Sequence, residues 1–116
     1  MEKKMTRKEE HALDNILAMD MYDRAMKEYY MQSAYFLTSS WSHLRTCTAW
    51  VLETENFYFL RSYSTIVAVI EKSNDCLADV LRVVYGYTAT SAQHIRKFEK
   101  DYGKAKWGCH GVFVAR

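Results

Sequence analysis

The stretch from Thr46 to Tyr85 constrains this chain more than any other. It is dense in aromatic and β-branched side chains and is cut at two polar places, Glu53-Thr54-Glu55-Asn56 and Lys72-Ser73-Asn74-Asp75. Aromatic and β-branched residues fit a pleated, half-buried surface. Asn and Asp tolerate the backbone angles of tight turns, so Lys72–Asp75 reads as a hairpin turn. The expected strands are Thr46–Leu52, Phe57–Arg61, Thr65–Ile70 and Cys76–Tyr85, with Ser64 marking a bend or a turn. Along the last of these, Leu77, Leu81 and Val83 share one parity and Ala78, Val80 and Val84 the other. Apolar residues on both parities suit a central strand covered on both faces.

Helical signals flank this block. Thr6-Arg7-Lys8-Glu9 reads as a capping box, in which a Thr oxygen and a Glu carboxylate each accept from a free amide of the first turn. The helix it opens is expected to run to about Leu37. Its apolar stripe is Ala12, Ile16, Met19, Tyr22, Met26, Tyr29, Ser33 and Phe36, in steps of three and four residues. Met21, Tyr30, Met31 and Tyr35 widen that stripe, enough to grip a sheet and to allow a homodimer. Thr38-Ser39-Ser40 breaks the pattern, and Trp41–Arg45 reads either way. Thr90-Ser91-Ala92-Gln93 reads as a second capping box. It opens a shorter helix with Ile95, Phe98 and Tyr102 inward, Lys97 and Lys100 outward, and Gly103 as a left-handed C-cap. A last strand is expected over Gly111–Ala115. The whole is an α+β fold in one domain over residues 1–116: a long N-terminal helix on a four- to five-stranded, mainly antiparallel sheet, with a second helix before the last strand.

Composition limits what such a domain does. A hydrophobic content of 49% with 15% aromatics supports a core and excludes disorder as the overall state. No apolar run approaches a membrane span, so no membrane is expected among the partners. The charged first ten residues do not read as a secretory leader. Cys47, Cys76 and Cys109 are odd in number and far apart, without a CxxC pair. Free thiols suit a reducing bacterial cytoplasm, and the spacing gives no support to a metal site, with or without His43 and His110. The net charge of +2 disfavours both a globally acidic DNA mimic and a histone-like wrapper. Charge is nevertheless uneven. Arg96, Lys97, Lys100, Lys104 and Lys106 oppose only Glu99 and Asp101, a local patch that suits phosphate or an acidic protein surface as well as solvent.

Catalytic signals are weak. Ser91 and His94 lie three residues apart on one side of the second helix, as a nucleophile and base would. A serine at a helix start is also explained by capping, and no GxSxG elbow accompanies it. Glu53 and Glu55 share a strand face, and His94, Tyr87 and Arg96 could serve a metal-independent nuclease. No P-loop, dinucleotide fingerprint or HExxH is present, so no cofactor is expected. Binding is the better reading. Arg61, Tyr63, Tyr85 and Tyr87 fall at strand ends, and these residue types dominate binding hot spots and stack on bases. Arg61 inside an apolar strand is either an edge-strand charge or a contact residue.

Two stretches carry a resemblance. Ser62–Ala68 gives S-Y-x-T-x-V-A, and Thr88–Phe98 gives T-x-T-S-x-x-H-I-x-x-F. Together they resemble small uncharacterised proteins encoded by phages, plasmids and conjugative elements of Firmicutes and gut bacteria, over roughly residues 57–102. The first helix and the C-terminal tail lie outside it, and no catalytic residue is carried over. The resemblance implies a mobile-element context, in which small orphan proteins often inhibit host defence, anti-CRISPR proteins being the best-known class. On that implication the chain is expected to be a non-enzymatic inhibitor of a Cas nuclease. Its partner would be a Cas effector protein or its guide-RNA complex. The expected contacts are Arg61, Tyr63, Tyr87, His94, Arg96, Lys97 and Lys100. The alternatives are a nucleic-acid-binding accessory protein of phage or plasmid maintenance and, behind it, a small nuclease.

Overall fold

The computed structural model describes residues 6–44, 48–103 and 112–116. Helix α1 spans Arg7–Tyr30 and starts as expected: the Thr6 side chain accepts from the Glu9 amide, and Glu9 accepts from the Thr6 amide. It ends seven residues earlier than expected. Ser33 is not part of its stripe but an N-cap, accepting from the Phe36 amide and starting a separate helix, α2, over Ala34–Ser39. The inward face is also rotated. Ala18, Met21 and Ala25 are buried with Tyr22, Met26 and Tyr29 beside them, whereas Ala12 and Ile16 are exposed. Breadth of the apolar stripe left that phase open.

Six strands follow: β1 (Ser42–His43), β2 (Ala49–Glu53), β3 (Phe57–Ser62), β4 (Thr65–Glu71), β5 (Cys76–Asp79) and β6 (Val112–Val114). They lie in sequence order in one mixed sheet, one or two strands more than expected. The first five pair antiparallel, and β6 runs parallel to β5. The ambiguous Trp41–Arg45 segment thus supplies an edge strand, although Arg45 to Cys47, where a strand was expected to begin, fall outside the described residues. The turn at Lys72–Asp75 is present, with Asp75 at φ 55°.

The expected long strand Cys76–Tyr85 is two elements. Val80 turns its amide to the Val67 carbonyl (2.9 Å), and the Leu81 amide is taken by Asp79 Oδ1 (3.0 Å). These bonds end β5 and start a short helix, α3, over Leu81–Val84. The β5 part is covered on both faces as expected, since Leu77 and Ala78 are both buried.

Helix α4 spans Ala89–Tyr102. Its N-cap is Thr88, accepting from the Ser91 amide, two residues before the expected box. Its C-cap Gly103 is not left-handed (φ −77°); it is held because a Cβ there would meet the Glu99 carbonyl oxygen at 2.8 Å. The left-handed glycine is Gly86, at φ 101° between α3 and α4.

The sheet is the middle of three layers. On one face α1 covers Leu52, Phe57, Phe59, Ile66 and Val69. On the other, Ile95 and Phe98 of α4 cover Leu60, Val67, Ile70 and Leu77. Each fully buried side chain of this size contributes about 1.5–3 kcal/mol relative to exposure. A bulge where β3 meets β4 pairs Leu60 with Ala68 and Arg61 with Ile66, leaving Val67 extra. Its carbonyl is the one that receives Val80. Glu28 of α1 fastens the β2–β3 turn, accepting from Thr54 Oγ1 and from the Asn56 amide and side chain. Among the described residues no helix is long and apolar enough to cross a membrane.

Candidate functional site

The chemistry-bearing residues gather around the Tyr63-Ser64 turn that joins β3 to β4. Strand alternation sends neighbours to opposite faces, so Arg61 goes to the α1 side and Ser62 to the α4 side.

On the α4 side, Ser62 Oγ lies 2.8 Å from Ser91 Oγ and 2.8 Å from His94 Nδ1. The sequence pairing of Ser91 with His94 is therefore correct as to side, but Ser62 stands between them. Thr48 Oγ1 lies 3.5 Å from His94 Nε2. Both serines are fully buried and His94 is only 5% exposed. Burial pushes the His94 imidazole below its ordinary range, so it is neutral at pH 7. A hydroxyl that solvent does not reach offers no approach to a substrate carbonyl. The cluster ties α4 to β3 and satisfies buried polar groups that would otherwise each cost about 1–3 kcal/mol.

Above it sits Tyr63. Its φ is 57°, a left-handed value that bulky residues rarely adopt. Its ring tilts over His94 at a centroid distance of 6.2 Å and stacks with Tyr85 at 6.3 Å and an interplanar angle of 4°. Tyr63 and Tyr85 remain 42% and 44% exposed. Past Gly86, Tyr87 is 56% exposed, with the Arg82 guanidinium 4.6 Å from its ring centroid. Tyr87 and Arg82 border a pocket of about 270 Å³ between α4, β5 and β6, together with Arg96, Arg116, Asp79 and Glu99. Burial pushes the Asp79 carboxyl up, against the pull of the Leu81 amide and of Arg82 and Arg116.

The expected contact residues thus separate. Tyr63, Tyr87, Arg96 and Lys100 are at the surface on the α4 side of the sheet. His94 is interior. Lys97 is half-buried and bonded to Asp101 at 2.9 Å rather than free in solvent. Lys104, Lys106, Cys109 and His110 lie outside the described residues, as does Cys47. Of the carboxylates singled out in sequence, Glu53 ends β2 and is paired with Lys72, and Glu55 lies in the bend that follows.

Arg61 belongs to the opposite face. Its strand is interior, between β2 and β4, so it is not an edge-strand charge. The guanidinium is held between Trp41 (4.3 Å) and Trp50 (4.6 Å), and its buried Nε has no hydrogen-bond partner among the described residues. Trp41, Trp50, Ser62 and Arg82 were not singled out in the sequence. A hairpin closed at Thr54–Asn56 already aligns Trp50 with Arg61, so that one contact had a usable signal. Trp41 and Arg82 had none. Among the described residues no cluster of His, Cys, Asp or Glu has the makings of a metal site. No protein-family model matches the chain, and no curated protein or solved structure matches it significantly.

Proposed function

We propose that this is a non-enzymatic binding protein of a mobile element that inhibits a Cas effector nuclease by docking directly onto it. One observation carries the docking surface: an exposed tyrosine, Tyr63, is kept in a left-handed backbone conformation at a turn position where glycine is the usual choice. Strain of this kind concentrates at functional positions. Tyr85, Tyr87 and Arg96 extend the surface, and tyrosine and arginine are the residue types that carry interface energy. The choice of a Cas effector rests on the mobile-element resemblance of the 57–102 segment. The sealed Ser62–Ser91–His94 cluster supports binding over hydrolysis. The test is capture of Cas effectors by the tagged protein after nuclease treatment, with Tyr63→Gly and Tyr87→Ala as variants. Capture of a Cas protein by the wild type and its loss in the variants supports the proposal; equal capture by all three removes this surface from it.

A second reading, a nucleic-acid-binding accessory protein, is favoured by Arg82, Arg96 and Arg116 around the Tyr87 pocket. It requires affinity that falls steeply with salt as counterions are released.

A further inference from the structure

We propose that the groove between α1 and the β3–β4 turn is a binding site for a small aromatic phosphate of mononucleotide size, held by Arg61. The site lies on the α1 face and does not rest on the docking reading. The groove has a volume of about 290 Å³ and is lined by Arg61, Tyr22, Tyr29, Tyr30, Ser64 and Thr65, among others. That volume stands at the low end of the roughly 300–1,000 Å³ of small-molecule sites. It suits one compact ligand rather than a peptide segment.

Arg61 supplies the charge. Trp41 and Trp50 cover the guanidinium at 4.3 and 4.6 Å from their ring centroids. Contacts of that kind engage the faces of a planar cation and leave the in-plane N–H donors to be satisfied by something else. Among the described residues no carboxylate or carbonyl takes them, and Nε is buried without a partner. Arg24, another cation on the α1 side, shows the contrast: it is paired with both Asp20 and Glu71. Nε is sealed from solvent, so the outer Nη edge is what remains for an oxyanion with two oxygens to offer, and phosphate and carboxylate both qualify.

The tyrosines indicate what the anion is attached to. Tyr30 is 74% exposed, its ring perpendicular to that of Tyr29 at 5.4 Å, and that exposure leaves it surface for stacking. Tyr22 donates its hydroxyl to the Ile66 carbonyl at 3.0 Å and so keeps its lone pairs available as acceptors. Ser64 adds a hydroxyl at the turn. An aromatic ring joined to a phosphate and carrying N–H or O–H donors for Tyr22, as a mononucleotide does, meets all of these at once.

The probes are adenosine monophosphate, adenosine, inorganic phosphate and benzoate, titrated into the intact protein. Binding is read from tryptophan fluorescence and from calorimetry. Adenosine monophosphate is expected to saturate the site and adenosine to bind at least about tenfold more weakly. Arg61→Met is expected to abolish saturation, and Arg61→Lys to weaken it about tenfold, because an ammonium lacks the fork. Tyr30→Ala is expected to weaken adenosine monophosphate while leaving inorganic phosphate unchanged. Ser64→Asp keeps the Trp–Arg–Trp stack and is expected to exclude every anion. No saturation by adenosine monophosphate in the wild type, or equal binding by adenosine, overturns the proposal. Wild-type affinity in folded Arg61→Met or in Ser64→Asp does the same. Benzoate binding more tightly than adenosine monophosphate overturns the phosphate assignment.

Discussion

Replacing Tyr63 by glycine separates what this residue does for the fold from what it does for a partner. Three terms decide the stability change. The left-handed φ of 57° costs a residue with a Cβ about 1–2 kcal/mol, and glycine removes that strain. Glycine also frees the unfolded chain, which destabilises by about 0.4–1 kcal/mol. The stacked contact with Tyr85 and the tilted one with His94 are lost, at about 0.5–1.5 kcal/mol for an aromatic pair. The hydrogen bond that the residue 63 amide donates to the Thr48 carbonyl (2.7 Å) survives, because it is backbone. With both contacts counted, the losses slightly exceed the relief of strain, so Tyr63→Gly is expected to be about 1 kcal/mol less stable than the wild type. A core aromatic truncated to alanine loses about 3–5 kcal/mol instead. Urea denaturation followed by far-UV circular dichroism measures the change from the midpoint and slope. Partner affinity is expected to fall about thirtyfold, the equivalent of a 2 kcal/mol hot spot. A destabilisation above about 2 kcal/mol would refute the reasoning, because Tyr63 would then be held by packing rather than kept for contact.

Three further outcomes are expected. Phe98→Ala should destabilise by about 3–5 kcal/mol, since that ring is fully buried between α4 and the sheet; thermal and urea melts measure it. Stability should fall on acidification from pH 7 to 5. Burial lowers the His94 pKa below its ordinary 6.5, so below that pH the unfolded chain binds a proton that the folded chain resists. His94→Gln should flatten that slope, and an unchanged slope would show the cluster tolerates the charge. Glu28 and Glu71, whose carboxyls are lowered, act below this window: hydrogen bonds from Thr54 and Asn56 outweigh burial at Glu28, and Arg24 dominates at Glu71. Lys97→Ala with Lys100→Ala should change stability by less than about 1 kcal/mol, since exposed or half-exposed pairs such as Lys97–Asp101 contribute little. If this patch is a contact, partner binding should weaken, and unchanged binding would remove it from the interface.

The sheet and its two covering helices were legible because local signals agreed with the final packing. The Thr6–Glu9 box, the Lys72–Asp75 turn and the apolar residues on both parities of Cys76–Asp79 each carry their own physical cause. Boundaries set by long-range bonds were not legible. Cys76–Tyr85 looks like one strand until the Val67 carbonyl, freed by a bulge, takes the Val80 amide. The break in the first helix depends on Ser33 acting as a cap, which helical spacing alone reads as one more inward position. At the site, Ser91 and His94 were placed together by spacing, but Ser62 reaches them only through tertiary packing. Arg61 stood out as a charge in an apolar strand. Its meaning needed the register that sets it against Trp50 and the chain turn that brings Trp41 over it.

The most direct test of the account is the affinity of purified protein for individual Cas effectors after nuclease treatment, measured for the wild type and for Tyr63→Gly side by side. The account expects saturable binding to at least one effector, with a loss of about thirtyfold in a variant that stays folded. Binding that disappears with the nucleic acid, or a folded Tyr63→Gly variant that binds as tightly as the wild type, would contradict it.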